Sequence, residues 1–497
     1  MRHRCKYFVL CLLMIVPVSL FSQGRKVNLD LSQVIRMATD SSLTAFKYKN
    51  QFLAGYWTYR TYKSERLPSL MLSLTPVSYS RYLTQRYDSE QDIDIFREQR
   101  SYMASGGLSI TQNFDPIGGT FFLETNVDYL RNFGALTYNQ FTAVPIRIGY
   151  QHSMFGYNQF KWDRKIEPLK YETAKLQYLY NAEQLALTSV SYFFNLALAQ
   201  ARLSLAREQA ESCDTLLSIG QRRFKIGSIS KSELLSLNLD AVNARSSIAQ
   251  AEVEVRRARL RLATFIGLGD YDDISVELPG VPMAVTIDPD VALQMMHKNS
   301  YMISLQMQNV LLHEQNLDKV KKQTRFSASL RASVGFNQES EEFKDVYRDP
   351  MRQELVSVSV SVPLLDWGVG RGRRNVARGE LNVAQVEAQQ KIVELEQDVV
   401  LTINELDIRR NLLYNSEEAY KLAYDAYNET RQRFQTGSGD VASLTLAQQR
   451  LLTAQNSYIE SMLNYWVCYY EFRQLTLYDP LTGFSLSEQF DFNNLIE

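Results

Sequence analysis

The feature that most constrains this chain is an internal duplication. The stretch RRFKIGSISKSELL at 222–235 is matched by QRFQTGSGDVASLT at 432–445, with identical residues 210 positions apart. Upstream, Pro68 lies opposite Phe326 at an offset of 258, and the LSQVIR and PDVALQ segments match at the same offset. Because the offset changes from 258 to 210, the first half contains 48 extra residues, which we place between about 85 and 140. Self-similarity on this scale predicts one supersecondary unit used twice.

Each half has the same predicted order of elements, which is helix, strand, strand, long helix, long helix. The predicted repeats cover 23–265 and 288–478, joined by a linker at 266–287, and 479–497 is a C-terminal tail of mostly irregular structure. Hydrophobic periodicity separates the elements. It predicts first helices at about 30–66 and 288–323, strands at about 69–79, 143–153, 325–336 and 354–363, and helical hairpins at 165–264 and 375–476.

The predicted strands are apolar on one face and small or polar on the other. In LVSVSVSV at 355–362, four valines alternate with serines, and successive strand residues point to opposite faces. This alternation suits a membrane wall with lipid outside and water inside. A soluble β-sandwich would also alternate. Two further strand-like runs, 106–114 and 119–130, flank the DPIGG turn of the insertion, and the sequence leaves open whether they join the wall or stand above it.

The long helices are too polar to be buried as ordinary core. Residues 165–222 and 375–432 lack proline after Pro168, and each run of 58 residues would be about 87 Å long as a helix. Their apolar residues form sparse stripes separated by Ala, Gln, Asn and Ser. Such helices favour a coiled-coil hairpin packed beside copies of itself, with one face wet.

The turns between the long helices have recognisable chemistry. Gly227 and Gly437 can adopt the left-handed conformation that ends a helix. Ser230 and Glu233 have the spacing of a capping box, and Asp440 can cap at the equivalent place. Hairpin closure accounts for these residue types, and Glu233 fits either a cap or a functional role. Closure of the hairpin does not require the Arg-Phe pair that both turns contain, and we interpret this pair as a docking surface.

The amino terminus is typical of a secretory signal peptide. Three basic residues, Arg2, Arg4 and Lys6, precede an apolar run that ends at Phe21, and small Ser22 suits cleavage, so 1–22 is the predicted signal. Removing it changes the formal charge from -1 to -4, since three cations leave. Cys213 and Cys468 then remain, which is too few for a disulfide framework or a zinc site. No HExxH, GxSxG, GxGxxG or Walker pattern occurs, so we predict no enzyme, cofactor or metal site.

The signal peptide, the duplicated order, PLLDWG at 363–368 and the paired RF..G turns together resemble the TolC-type outer-membrane efflux protein family. The resemblance implies a mixed α and β membrane protein in the cell outer membrane. It implies a homotrimer whose strands form one β-barrel and whose helices form a periplasmic coiled-coil α-barrel. The implied function is the passive exit duct of a tripartite efflux or type I secretion system, driven by an inner-membrane pump through a periplasmic membrane-fusion (adaptor) protein. Nucleic acid is not an implied partner.

The resemblance also assigns roles to residues of the two hairpin ends. The predicted periplasmic tip, or adaptor contact, consists of Arg223, Phe224, Gly227, Ser230, Arg433, Phe434, Gly437 and Asp440. The candidate pore constriction consists of Glu233, Asp440 and Ser443. Family members often carry acidic residues early in the helix after the second turn, where this chain has Ser443 and Leu446, so a cation-binding gate is in doubt. The alternative function is a non-channel coiled-coil adhesin or scaffold of the periplasm or cell surface.

Overall fold

A computed structural model of the chain describes residues 26–88, 92–133, 137–268, 273–280, 286–436, 438 and 441–496. The predicted signal at 1–22 lies outside these residues. Ten strands and nine α-helices occur within the described ranges: β1 Lys26–Leu29, α1 Leu31–Ser41, α2 Leu43–Ser64, β2 Ser69–Asp88, β3 Ile93–Phe114, β4 Gly119–Phe133, β5 Tyr138–Met154, α3 Gln159–Lys225, α4 Lys231–Ile266, β6 Asp273–Val276, α5 Pro289–Asn299, α6 Tyr301–Gln323, β7 Ser327–Ser340, β8 Met351–Ser361, α7 Val369–Gln435, α8 Val441–Thr476, β9 Tyr478–Asp479, β10 Phe484–Ser485 and α9 Leu486–Gln489.

The element bounds confirm the duplication. Helices α3 and α7 have 67 residues each, α4 and α8 have 36 each, and both pairs begin 210 positions apart. Helices α1 and α5 have 11 residues each and begin 258 positions apart, as do β2 and β7. The halves differ in the strands between their first helices and their long helices, because β2 to β5 lie there in the first half and β7 and β8 in the second.

The chain divides into two compact units. The first consists of 1–50, 178–299 and 396–491, and it contains both ends of the helical hairpins. Its core is a cluster of buried side chains from α1, α3, α4, α7 and α8, with Phe193, Phe194, Leu262 and Met462 fully enclosed. A second cluster, formed by Leu205, Leu216, Tyr427, Leu444 and Leu451, joins the two hairpins nearer their ends. Burial of these faces stabilises helices whose remaining surface is polar.

The second unit consists of 51–177, 300–395 and 492–497. It contains a single six-stranded antiparallel sheet in the order β2-β3-β4-β5-β7-β8. Hence the inserted strands lie within the sheet, between β2 and β5. The strands are longer than the sequence predicted, since β2 extends to Asp88 and β3 begins at Ile93.

Two expectations need correction. The two first helices, predicted as continuous over 30–66 and 288–323, are each broken at a serine. Ser42 is extended and its Oγ accepts from Ala45 N at 2.9 Å, and Ser300 is extended and caps α6 through Ile303 N. A serine hydroxyl that caps a new helix competes with continuation of the old one. The tail, predicted as mostly irregular, contains β10 and α9, and β9 begins at Tyr478, just before it. The linker contains β6, which pairs in parallel with β1.

Candidate functional site

The first hairpin end is a regular helix stop. Gly227 has φ of +76°, which is the left-handed conformation that its sequence position predicted. The Ser228 amide donates to Arg223 O at 2.8 Å and the Gly227 amide to Phe224 O at 3.0 Å. These two bonds form a Schellman motif, which satisfies carbonyls left open at the end of α3. A Cβ added to Gly227 would meet no atom within 4 Å, so the requirement for glycine here is conformational rather than steric.

The start of α4 is a complete capping box. The Glu233 amide donates to Ser230 Oγ at 3.2 Å, and the Ser230 amide donates to Glu233 Oε2 at 2.6 Å. Hydrogen bonding from Ser230 to the carboxylate, from the backbone amide first and the side chain second, lowers the pKa of Glu233 below the ordinary value of a glutamate. The carboxylate therefore remains ionised while it caps, and the Glu233 side chain stays exposed to solvent. The capping role of Glu233 and an exposed negative charge coexist at this end.

The second hairpin end repeats the helix stop. The Ser438 amide donates to Arg433 O at 3.0 Å, which is the equivalent of the Ser228 bond. Gly437, Asp440 and the side chain of Phe434 lie outside the described part of the structure. Ser443 lies in the first turns of α8 and is exposed. Of the candidate tip residues, the structure thus places Arg223, Phe224, Gly227 and Ser230 together, and Arg433 at the corresponding place.

The two ends differ in charge. The first end carries four exposed cations, Arg222, Arg223, Lys225 and Lys231, around Phe224 and Ile226. Ile226 is 77% exposed. At the second end, Arg433 forms an ion pair with Glu429 of the preceding turn. The first end is therefore the more basic surface, with apolar side chains at its centre.

The six-stranded sheet has one apolar and one polar face. On the apolar face, cross-strand register aligns Leu72 with Leu108, Leu123 with Ile148, and Leu330 with Val358. On the polar face, Ser69 Oγ lies 2.6 Å from Thr111 Oγ1, and Arg147 Nε donates to Glu124 Oε1 at 2.5 Å. Both faces of β8 are solvent-exposed within one chain, and Val358 is 59% exposed. An exposed apolar sheet face of this extent marks a surface that another medium or molecule covers.

Two rows of aromatic side chains border the apolar face. The proximal aromatic row, nearer the strand ends that join the helices, contains Phe114, Phe121 and Tyr150, with ring centroids 6.0 and 4.7 Å apart. The distal aromatic row contains Tyr102, Tyr129 and Phe141, with centroids 6.0 and 4.8 Å apart. Register adds Tyr79 beside Tyr102.

The spacing of the rows fits a bilayer. They are eight residues apart on β4 and twelve on β3. At a strand rise of about 3.4 Å these intervals are about 27 and 41 Å. In strands tilted by about 40° they correspond to heights of about 21 and 31 Å, on either side of the ~25 Å apolar band of outer-membrane strands. Beyond the distal row the same face becomes charged, since Glu98 pairs with Arg81 and Arg100.

Sequence reasoning missed these rows. The signal was present as Tyr and Phe in strands β2 to β5, but alignment into rows depends on cross-strand register. Within the described ranges every helix is too short or too polar to span a bilayer. The same ranges contain no group of three or more His, Cys, Asp or Glu side chains suited to a metal ion.

Comparison with known proteins decides the family. The family model described as outer membrane efflux protein matches residues 137–268 and 318–466, which is more than half of the chain. The chain belongs to the outer membrane efflux protein family. It is a channel protein of the outer membrane that serves efflux, and its family is one of channels rather than enzymes. No curated protein sequence matches the chain.

Solved structures of membrane proteins share the fold of this chain. The CmeC outer membrane channel of Campylobacter jejuni is 14% identical with a TM-score of 0.66, covering 93% of this chain and 90% of that one. The MtrE outer membrane channel of Neisseria gonorrhoeae, in its open state, is 14% identical with a TM-score of 0.59, covering 90% and 88%. A membrane protein from Pseudomonas aeruginosa is 14% identical with a TM-score of 0.64, covering 90% of both chains.

Proposed function

We propose that three copies of the chain form the passive exit duct of a tripartite export system, with their sheets closed into one β-barrel in the outer membrane. The observation that carries this proposal is the pair of open edges on the sheet. Among the described strands, β2 pairs only with β3, and β8 only with β7. Unpaired backbone groups are costly in hydrocarbon, so a lipid-facing sheet must close. Pairing β8 of one copy with β2 of the next closes it.

The helices of the first unit offer a matching contact between copies. Ion pairs join α3 to α4, for example Arg245 with Asp214 at 2.8 Å, and Tyr420 stacks on Tyr458 between α7 and α8. Arg473 of α8 in turn binds Glu183 of α3 at 2.9 Å. These contacts link the helices in the order α4-α3-α8-α7, with α4 and α7 as the outer members, and Tyr427 of α7 also joins the cluster of α3 and α8 nearer the hairpin ends.

Both outer helices expose apolar side chains away from their neighbours. On α4, Leu239 and Val253 are 59% and 54% exposed, and on α7, Leu422 and Ile408 are 64% and 58% exposed. In a ring of three copies, the α4 stripe of one copy packs against the α7 stripe of the next, which is a head-to-tail contact. Head-to-tail contacts generate rings when the rotation closes. A ring of three copies places the helical hairpins of neighbouring copies side by side.

The hairpin ends are the proposed contact with a periplasmic adaptor, which links the duct to an inner-membrane pump. The proposed contact residues are those of the predicted tip at both hairpin ends. The first end supports this assignment, because its surface is basic and has exposed apolar side chains at its centre. Glu233, Asp440 and Ser443 are the proposed constriction. The chain contains no nucleotide-binding motif, so transport through the duct depends on energy supplied by the pump.

Cysteine labelling tests the membrane face. In a Cys213→Ser background, Val358→Cys should react with a lipid-soluble maleimide, and Ser357→Cys only with a membrane-impermeant one. Cys468 can remain, because burial raises the pKa of its thiol to about 12 and a protonated thiol is unreactive. Leu330→Cys and Ser329→Cys are the matched second pair. Equal labelling of all four positions from water, or recovery of the chain as a soluble protein, would contradict the duct and favour the scaffold alternative.

Charge introduced at the tip tests adaptor docking. Phe224→Glu should abolish export while trimers of normal mass still reach the outer membrane. Phe484→Glu is the control, since Phe484 is also an exposed phenylalanine of the first unit but lies in the C-terminal tail. Phe434→Glu tests the second end in the same way. Normal export by both tip variants would remove the docking assignment and leave the barrel untouched.

A further inference from the structure

We propose that the inserted hairpin, β3 with β4, is part of the membrane wall, so that the trimeric duct has a wall of eighteen strands. This inference rests on the proposed trimer. Six strands of one chain lie side by side in one sheet, and the uninserted second half supplies only two of them. Had the first half also kept two, three chains would close a wall of twelve.

Pairing along the inserted strands is continuous with the rest of the sheet. Strand β3 pairs with β2 from Ser69 opposite Thr111 to Asp88 opposite Ile93, and with β4 from Phe114 opposite Gly119 to Arg100 opposite Phe133. Strand β4 pairs in turn with β5 from Gly119 opposite His152. A hairpin standing outside the wall would leave β2 and β5 to pair with each other. In this sheet β3 and β4 separate them.

Both faces of the inserted strands have the polarity of a wall. Each aromatic row passes through them, with Phe114 and Phe121 in the proximal row and Tyr102 and Tyr129 in the distal row. Their other face is polar and continues across the sheet, as the ion pair of Glu124 with Arg147 of β5 shows. Strands exposed to water on both sides would not need two aromatic borders on one face.

The turn of the hairpin is fastened to the elements that border it in sequence. Asp115 lies 2.5 Å from Arg66, which precedes β2, and Gln112 Nε2 donates to Arg66 O at 2.8 Å. Asn158, which precedes α3, donates from Nδ2 to Asp115 O at 3.1 Å. Gly118 has φ of +86°, and a Cβ there would lie 2.7 Å from the Asn158 side chain. The turn thus has a fixed place at the proximal end of the sheet.

An eighteen-stranded wall is wider than a twelve-stranded one. Barrel diameter grows roughly in proportion to strand number, so the diameter increases about 1.5-fold and the enclosed cross-section about twofold. The membrane section then admits cargo that a twelve-stranded wall would exclude. Selection by size falls to the hairpin ends, where the constriction is proposed.

Disulfide cross-linking within one chain counts the strands. In purified trimers of the Cys213→Ser background, the double variants Leu72→Cys/Leu108→Cys and Leu123→Cys/Ile148→Cys should cross-link, because directly opposed strand residues meet disulfide geometry. Leu72→Cys combined in turn with Ile146→Cys, Ile148→Cys or Tyr150→Cys should not, because β2 and β5 are three strand spacings apart, about 14 Å. Cross-linking of Leu72→Cys to any of these three would overturn the eighteen-strand wall.

The trimer itself is measured in the same samples by native mass. Failure to recover trimers would overturn the proposed function together with this inference, whereas trimers with β2 linked to β5 would overturn the inference alone. Deletion of residues 90–137 is the second variant, and electron microscopy of its trimers should show a wall narrower by about one third. An unchanged wall diameter in that variant would also overturn the inference. If the deletion variant does not fold, the cross-links alone distinguish eighteen strands from twelve.

Discussion

In the first half of the chain four strands connect α2 to α3, and in the second half two strands connect α6 to α7, while the helical hairpins of the two halves have identical lengths. The difference shows that the number of strands in the sheet can vary between the halves, whereas the length of the helical hairpins does not. Two added antiparallel strands return the chain to the end of the sheet from which it started. A sheet therefore accepts an inserted hairpin without any change in the elements that follow. The hairpins have no such freedom, since Leu216 of α3, Tyr427 of α7 and Leu444 of α8 meet in one cluster near both ends.

The largest predicted effect concerns a charge that only the second half has. Arg473 binds Glu183 at 2.9 Å and lies 3.5 Å from Asp479, and the equivalent position in the first half is Ala263. Burial raises the pKa of Glu183. Burial alone would lower the pKa of Arg473, but Glu183 and its other neighbours raise it. Arg473→Ala leaves Glu183 buried without its partner, and we expect a loss of about 3–5 kcal/mol in the free energy of unfolding.

Denaturant unfolding of the purified protein measures this loss. Lys298→Ala is the control, because Lys298 and Glu488 form an exposed ion pair at 2.7 Å, and such pairs contribute about 1 kcal/mol or less. The double variant Arg473→Ala/Glu183→Gln should recover much of the stability, since it removes the unpaired charge. Equal effects of Arg473→Ala and Lys298→Ala would show that the buried network does not hold the two halves together.

A smaller effect is expected at the helix stop of the first hairpin. Gly227→Ala places a Cβ in the left-handed conformation, which costs about 1 kcal/mol, while asparagine tolerates that conformation better. Amide exchange in the last turn of α3 should become about fivefold faster in Gly227→Ala and change less in Gly227→Asn. Identical exchange in the two variants would mean that the turn is not held in this conformation in solution.

The sequence predicted most of the helices and which face of the sheet is apolar. The offsets of 210 and 258 appear in the helix bounds, because helix period, caps and turns are local properties that each half repeats. The breaks at Ser42 and Ser300 were missed, because a serine continues a helix or caps the next one depending on its surroundings.

The parts that depend on distant partners could not be predicted. The aromatic rows require knowing that Phe121 lies beside Tyr150, which is set by register between strands. The pairing of Arg473 with Glu183 joins residues 290 positions apart. At the candidate site, the capping box of Ser230 and Glu233 was predicted from spacing alone, while the contrast in charge between the two ends emerged from the exposure of Arg222, Lys225 and Lys231.

The smallest predicted effect is a difference between the two hairpin ends in how their amide exchange depends on pH. The first end has Ser230 at the cap and Glu233 three residues later, whereas the sequence of the second end has Asp440 and Ser443 at the corresponding positions. The pKa of Glu233 is lowered by its bond from the Ser230 amide, so its stabilisation is present above the ordinary value of 4.5 and is lost as the pH falls through the lowered value. Exchange of the first amides of α4, corrected for intrinsic rates, should therefore increase as the pH is lowered below about 4.5.

Glu233→Gln should abolish this increase, because an amide oxygen still accepts from Ser230 N but does not titrate. In the Asp440→Ser variant the second end has no carboxylate at either capping position, and its first-turn amides should show no increase over the same range. The increase should persist at the first end of that variant, since Glu233 is unchanged there. If it disappeared, protonation at the second end would control both turns, and the two ends would act as one unit rather than as two independent copies of the same turn.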